Sequence, residues 1–206
     1  MITLINFKTY QQGKAAVRLA KEIAKVDKNI IIAIQDSDIH EIKKATKLKI
    51  FAQHVDPFKP GKHTGYIIPE VVKKDGAKGT LLNHSEHKID FKTLKQTIKR
   101  CKQINLKTAV FAKDLKEAIK IKKLKPDYLI VEPPELVGTK TSVSTAKPEL
   151  IKNISKKLKY PFLVGAGIHT AEDIKIASKL GAKGIAISSA ITKSKNPGKK
   201  LRTLLT

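Results

Sequence analysis

The chain has 206 residues, 41% of them hydrophobic, and carries 42 Lys+Arg against 18 Asp+Glu for a formal charge of +24. That length holds one domain or two small ones with a sizeable core, and 11 Gly with 9 Pro are too few for a low-complexity or collagen-like chain. A single cysteine, Cys101, excludes an internal disulfide, no Cys/His cluster has the spacing of a zinc site, and no apolar run exceeds that at 30–34, so the expectation is a cytoplasmic protein without membrane span or signal peptide.

In chain order, short apolar runs at 2–5, 30–34, 50–52, 79–82, 108–111, 128–131, 162–164 and 184–187 read as strands. Amphipathic stretches separate them. The pattern predicts helices over 14–26, 91–104, 115–124, 148–158, 171–180 and 197–205, with shorter ones over 38–45 and 69–74. Strands that alternate with helices must pair in parallel through right-handed crossovers. The pattern alone leaves an open doubly wound sheet in play, but eight successive units favour closure into a (β/α)8 barrel. A barrel is typically about 250 residues long, so this one is expected to be a single domain over 1–206 with short helices. The connection at 54–66, with Pro57, Pro60, Gly61 and Gly65, is long for so economical a chain and calls for a functional or oligomeric reason.

Polar residues at the C-terminal ends of barrel strands converge on one mouth. Strand one ends in Asn6-Phe7-Lys8, strand four in Asn83-His84-Ser85-Glu86, and strand six in Glu132-Pro133-Pro134. Taken singly, such a lysine is most often a surface residue, such a histidine a satisfied core residue, and such a glutamate the partner of a lysine. The last two units add Gly165-Ala166-Gly167 and Ser188-Ser189, at the place where barrels bind phosphate on backbone N–H groups. One carboxylate, one imidazole, one ammonium and a phosphate cradle together suit proton abstraction next to a carbonyl, a chemistry that needs neither metal nor cofactor.

The charge points elsewhere. A pI near 10.0 is the usual footprint of a nucleic-acid binder. Only Arg18, Arg100 and Arg202 are arginines, however, and the lysines are dispersed, which reads poorly as base recognition. Any nucleic-acid binding is therefore expected to be sequence-independent and weak at physiological salt.

The strings NFKTY at 6–10, FAQHVDP at 51–57, HTG at 63–65, GTLLNHSEH at 79–87, VEPPELVGT at 131–139, SVSTAKPE at 142–149 and GAGIHTAED at 165–173 resemble triosephosphate isomerases of the compact archaeal type almost end to end. The resemblance implies a closed TIM barrel, an intramolecular aldose–ketose isomerase of glycolysis and gluconeogenesis, and no cofactor. In that family a glutamate base works with a neutral histidine electrophile. By position, the resemblance implies Glu132 as base, His84 as electrophile, Lys8 as electrostatic partner and Asn6 beside the reacting oxygens. It also implies Glu86 as a supporting acid near the lysine, a mobile lid over 133–139 with Val137 lining the site, and phosphate contacts from Gly138, Gly167, Ser188 and Ser189. Thr64 would stand at the tip of a loop entering a neighbouring subunit of a homo-oligomer, a dimer or tetramer. Three departures from the family pattern stand out. Lys140 stands where the lid hinge usually has glycine, Ser188 and Ala190 replace alanine and glycine in the phosphate loop, and Gln35-Asp36 lacks the usual proline. Two rivals remain, another phosphate-binding barrel enzyme such as a synthase or Schiff-base aldolase, and a non-catalytic basic nucleic-acid-binding barrel. An aldolase would want a lysine at strand six, where this chain has Glu132.

Overall fold

In the computed structural model, eight parallel strands close into a barrel in sequence order, β1 (Ile2–Asn6), β2 (Ile31–Ile34), β3 (Lys49–Ala52), β4 (Gly79–Leu82), β5 (Lys107–Ala112), β6 (Tyr128–Val131), β7 (Phe162–Gly165) and β8 (Gly184–Ile187), with β8 pairing back onto β1. The structure describes residues 1–139 and 141–206, so the departure at Lys140 lies outside the described residues.

Side chains alternate across each strand and build two apolar layers. Ile31, Ala33, Phe51, Leu81, Phe111, Ile130 and Leu163 fill the barrel interior. Their neighbours Ile32, Ile34, Ile50, Leu82, Val110, Leu129 and Val164 face outward and meet the helices. Two glycines make the interior packing possible. A Cβ on Gly79 would lie 2.4 Å from the Phe51 ring and one on Gly184 2.4 Å from the Ile2 carbonyl oxygen, so no larger residue fits at either.

The outer layer consists of α1 (Gly13–Val26), α2 (Ile39–Ala45), α3 (Pro69–Lys74), α4 (Phe91–Gln103), α5 (Leu115–Lys122), α7 (Pro148–Leu158), α8 (Ala171–Lys179) and α10 (Pro197–Leu205). Each presents an apolar stripe, as in α1 with Ala16, Leu19, Ala20 and Ile23 buried. Start signals are explicit. Asp90 and Asp114 accept backbone N–H bonds at the heads of α4 and α5, Thr170 and Asp173 form a reciprocal capping box on α8, and proline opens α3, α7 and α10.

The predicted strands and helices are all present, with ends shifted by one or two residues and a 3-10 turn at Asp36–Asp38 preceding α2. Two single-turn helices were not anticipated, α6 (Val143–Ala146) and α9 (Ser189–Thr192), nor was a 3-10 turn at Pro134–Leu136. Each is too short for an apolar stripe to repeat, which is why periodicity misses them. The long connection is clamped at its base, where Asp56 N–H donates to the Ile67 carbonyl at 2.7 Å and the Asp56 carboxylate accepts from Ile67 N–H at 2.8 Å. Within it Phe58 stacks on His63 at 4.3 Å and meets the Tyr66 ring edge-on at 4.6 Å, leaving Thr64 exposed at the tip. No helix among the described residues is long and apolar enough to cross a membrane.

Candidate active site

At the C-terminal mouth of the barrel, Asn6, Lys8, His84, Glu132, Val137, Gly138, Gly167, Ser188 and Ser189 line one cleft. They come from the ends of β1, β4, β6, β7 and β8, which span 182 positions of sequence between Asn6 and Ser188. Glu86 opens onto the adjoining cleft and joins the first through Lys8, whose ammonium lies 2.6 Å from its carboxylate. Thr64 lies apart from both, on its loop.

Lys8 has φ +48, a left-handed conformation that a side-chain-bearing residue adopts at a cost of order 1–3 kcal/mol. Bonds on both sides hold it there. Its N–H donates to Asn6 Oδ1 at 2.9 Å and its carbonyl accepts from Gln53 Nε2 at 2.8 Å. Asn83, also left-handed at φ +60, fixes the next loop by donating to the Phe111 carbonyl and the Glu117 carboxylate at 2.9 and 3.0 Å.

His84 sits on that loop. Its Nδ1 accepts from Glu86 N–H at 3.1 Å, so in the neutral ring the proton resides on Nε2. Phe111 packs edge-on against the ring at 4.7 Å. Nε2 lies 3.1 Å from Glu132 Oε2, yet that oxygen is buried and makes no hydrogen bond among the described residues. The contact is close but not aligned, so the Nε2–H and the carboxylate both retain bonding capacity toward the cleft. Glu132 continues the β6 ladder, its N–H donating to the Ala112 carbonyl at 2.9 Å.

Gly165 leaves the space that Glu132 occupies, since a Cβ there would fall 2.5 Å from Oε1. The atom displaced is the far end of a side chain, and Gly165 needs no positive φ. Gly165→Ala should therefore fold with nearly unchanged melting temperature while turnover falls at least about 10-fold, because a carboxylate pushed by an ångström loses its alignment. Unchanged turnover would show that the Glu132 position does not matter.

The loops that follow β6 and β7 are tied to one another. Gly167 has φ +66, and a Cβ there would meet the Thr141 carbonyl oxygen at 1.8 Å. His169 Nε2 lies 3.1 Å from the Thr139 carbonyl oxygen, and Glu135 forms an ion pair with Lys147 that holds its carboxyl below the usual range. The backbone N–H groups of Gly138, Gly167 and Ser189 have no acceptor among the described residues, and the buried Ser188 hydroxyl likewise has no partner. Three free N–H groups and an orphaned hydroxyl around one opening form an anion cradle.

Asp173 anchors the Gly167 loop, accepting from His169 N–H at 3.0 Å and from Thr170 N–H and Oγ1 at 2.9 and 2.8 Å. Burial pushes its carboxyl up, but these hydrogen bonds outweigh burial and leave it below its ordinary value. A lowered native value means that its contribution to stability is fully present above about pH 4 and is lost as pH falls through that value. The urea midpoints of the parent and Asp173→Asn should thus differ at pH 6 and converge toward pH 3. A gap that widens in acid would reverse the sign of this account.

Gln53 and Phe111 were not singled out from the sequence, and Asn83 and Gly165 stand there only as a strand-end polar group and part of a phosphate loop, without the roles the structure gives them. Gln53, Asn83 and Gly165 lie inside the strings FAQHVDP, GTLLNHSEH and GAGIHTAED, which was the available signal, whereas Phe111 reads only as one more core residue. Ser188 with Ala190 and the Gln35-Asp36 pair, two of the three departures, line the two clefts without displacing any of these groups.

The triosephosphate isomerase family model matches residues 1–204. The chain belongs to the triosephosphate isomerase family. Among curated relatives, the triosephosphate isomerase of Saccharolobus solfataricus is 41% identical, covering 100% of this chain and 95% of the relative. That of Methanocaldococcus jannaschii is 38% identical over 100% and 99%, and that of Methanobrevibacter smithii 38% over 99% and 97%. Membership makes this barrel an isomerase, and the archaeal resemblance noted in the sequence extends to these relatives.

Proposed function

We propose that the cleft interconverts dihydroxyacetone phosphate and D-glyceraldehyde 3-phosphate through an enediolate, with Glu132 as the base. The observation that carries this reading is the buried Glu132 oxygen without a hydrogen bond, 3.1 Å from an imidazole whose own proton is directed by a backbone N–H. Glu132 takes a proton from the carbon beside the carbonyl and returns it to the neighbouring carbon. His84 Nε2–H donates to the oxygen on which charge builds, and the Lys8 ammonium offsets that charge. Asn6 orients Lys8 and stands beside the reacting oxygens, and Glu86 holds the ammonium. Gly138, Gly167, Ser188 and Ser189 take the phosphate, with Val137 closing the lid side. No step calls for a metal or organic cofactor, and the whole chain acts as one domain.

A coupled assay starting from either triose phosphate tests this directly. Rapid conversion in both directions is expected. Cleavage of a sugar bisphosphate with borohydride trapping of a lysine would instead support the Schiff-base rival.

The same reading makes the protein a homo-oligomer, at least a dimer and by resemblance a tetramer. Its support is the loop at 54–66, which projects Thr64 and the half-exposed Tyr66 away from the barrel. Light scattering at moderate salt should give a dimer or larger, and Thr64→Arg should dissociate it and lower turnover. A fully active monomer would contradict this.

A further inference from the structure

The net charge is concentrated at one end of the barrel. Helices run antiparallel to strands, so helix C-termini and strand N-termini share the face opposite the cleft. Seven connections there run from the last four residues of α1, α2, α3, α4, α5, α7 or α8 to the first residue of the following strand. Together they hold 21 Lys+Arg against 3 acidic residues, Asp27, Asp75 and Asp127, which is +18 of the total +24.

Helix macrodipoles explain part of this. Each helix C-terminus carries roughly half a negative charge, which favours lysine in the last turn. Some lysines serve that purpose visibly, in a chain from helix to helix. Lys73 donates to the Ile104 carbonyl, Lys102 to that of Leu124 at 2.7 Å, and Lys122 to that of Leu158 at 2.5 Å.

The strand-entry lysines are different. Lys49, Lys78, Lys107, Lys125, Lys159 and Lys183 are all exposed, and none of these ammonium groups has a hydrogen-bond or ion-pair partner among the described residues. They stand in order around the barrel floor at or before the starts of β3, β4, β5, β6, β7 and β8, Lys125 and Lys159 three residues ahead of their strands. Lys78 N–H bonds the Ile50 carbonyl, Lys107 N–H the Lys78 carbonyl, and Lys183 N–H the Phe162 carbonyl. Neighbouring strands are only about 4.8 Å apart, so like charges gathered at their starts repel one another unless anions lie across them. Lys125 and Lys159 even occupy left-handed backbone, at φ +52 and +46, where glycine or asparagine is easier.

We propose that this floor is a docking surface for the phosphate backbone of double-stranded nucleic acid. The one arginine in these connections, Arg100, is engaged by Glu70 and Gln103, and a surface of lysines suits phosphate charge rather than base edges, hence no sequence selectivity. Stacking of single strands lacks a platform, because both tyrosines on this face, Tyr128 and Tyr160, are half-buried, with Tyr160 donating its hydroxyl to the Pro126 carbonyl. An anionic membrane would want apolar anchors. Among the described residues, the large apolar side chains exposed in these connections and at the chain ends on this face are Val71, Ile119, Met1 and Leu205, single residues in four separate places and no continuous anchor. The opposite cleft stays open, so the bound protein keeps its turnover.

The test measures binding of the full protein to a mixed-sequence duplex between 0.05 and 0.2 M salt. Binding at low salt is expected, falling by about 10³-fold across that range and insensitive to sequence. Changing the six strand-entry lysines to glutamine should weaken binding at least about 30-fold and reduce the salt slope by about 0.9 for each phosphate no longer neutralised. The same change at Lys14, Lys21, Lys92, Lys95, Lys116 and Lys175, exposed on helices outside these connections, should weaken it less than about 3-fold. Retained turnover reports that each variant is folded. On the unsubstituted protein, bound duplex should protect the floor lysines from acetylation and leave those six reactive. Equal loss in both variants, uniform protection, no binding at 0.05 M salt, or preference for anionic phospholipid vesicles over duplex would each overturn the proposal.

Discussion

Glu132→Gln should lower kcat by at least about 10²-fold with a much smaller change in KM. The substitution preserves volume beside Gly165 and keeps a polar group 3.1 Å from His84 Nε2, so it removes the proposed base while leaving the surrounding groups in place. A loss confined to kcat is the signature of an interaction made during proton transfer, because substrate affinity comes from the remote phosphate. Steady-state kinetics in both directions checks this. A variant with parental turnover would remove Glu132 from the reaction, and one with only a raised KM would make it a binding residue. His84→Ala should behave similarly, through loss of the donor to the enediolate oxygen.

Excision of 134–139 with a short splice should lower kcat by about 10²-fold or more and raise the yield of inorganic phosphate per turnover. The enediolate carries a phosphate on the adjacent carbon. Its electron pair can form a carbon–carbon double bond there while the carbon–oxygen bond breaks, expelling phosphate and leaving a three-carbon dicarbonyl after tautomerisation. Holding that bond in the plane of the enediolate and excluding water suppresses the elimination. The excised segment supplies the free Gly138 N–H, and its neighbours are already tethered through Glu135 to Lys147 and through the Thr139 carbonyl to His169. Pro133 and Pro134 restrict its entry, and the 3-10 turn at Pro134–Leu136 gives it a compact start. The barrel should remain folded, since Val143 N–H still bonds the Ala166 carbonyl below the lid. Unchanged turnover together with unchanged phosphate release would end the lid assignment.

The architecture was legible because eight short apolar runs alternate with amphipathic stretches, which demands parallel pairing through crossovers, and because eight successive units favour closure over an open doubly wound sheet. Strand ends were legible for the same reason. Once Leu82 and Val131 end their strands, His84 and Glu132 must stand near the mouth. Supporting interactions were hidden because they depend on register around the barrel. Gln53 reaches the Lys8 carbonyl from 45 positions away, and Asn83 reaches Glu117 across 34. Local sequence carries no trace of such pairings. Gly165 illustrates the limit well, because the sequence places it in a phosphate-binding loop, whereas the structure shows it leaving a void for the carboxylate at the end of the neighbouring strand. The charge shows the converse. Lysines that look dispersed along the chain are gathered at one end by a topology that returns every helix to the same face.

The central claim is that a carboxylate on β6 moves a proton between adjacent carbons through an enediolate that can exchange with solvent. Turnover of dihydroxyacetone phosphate in deuterium oxide, with the product trapped and analysed by proton NMR, tests it most directly. The account predicts glyceraldehyde 3-phosphate carrying solvent deuterium at carbon 2, with formation of that product collapsing in Glu132→Gln. Product formed at full rate without solvent deuterium, and formed equally well by Glu132→Gln, would mean direct hydride transfer between the two carbons, and would contradict it.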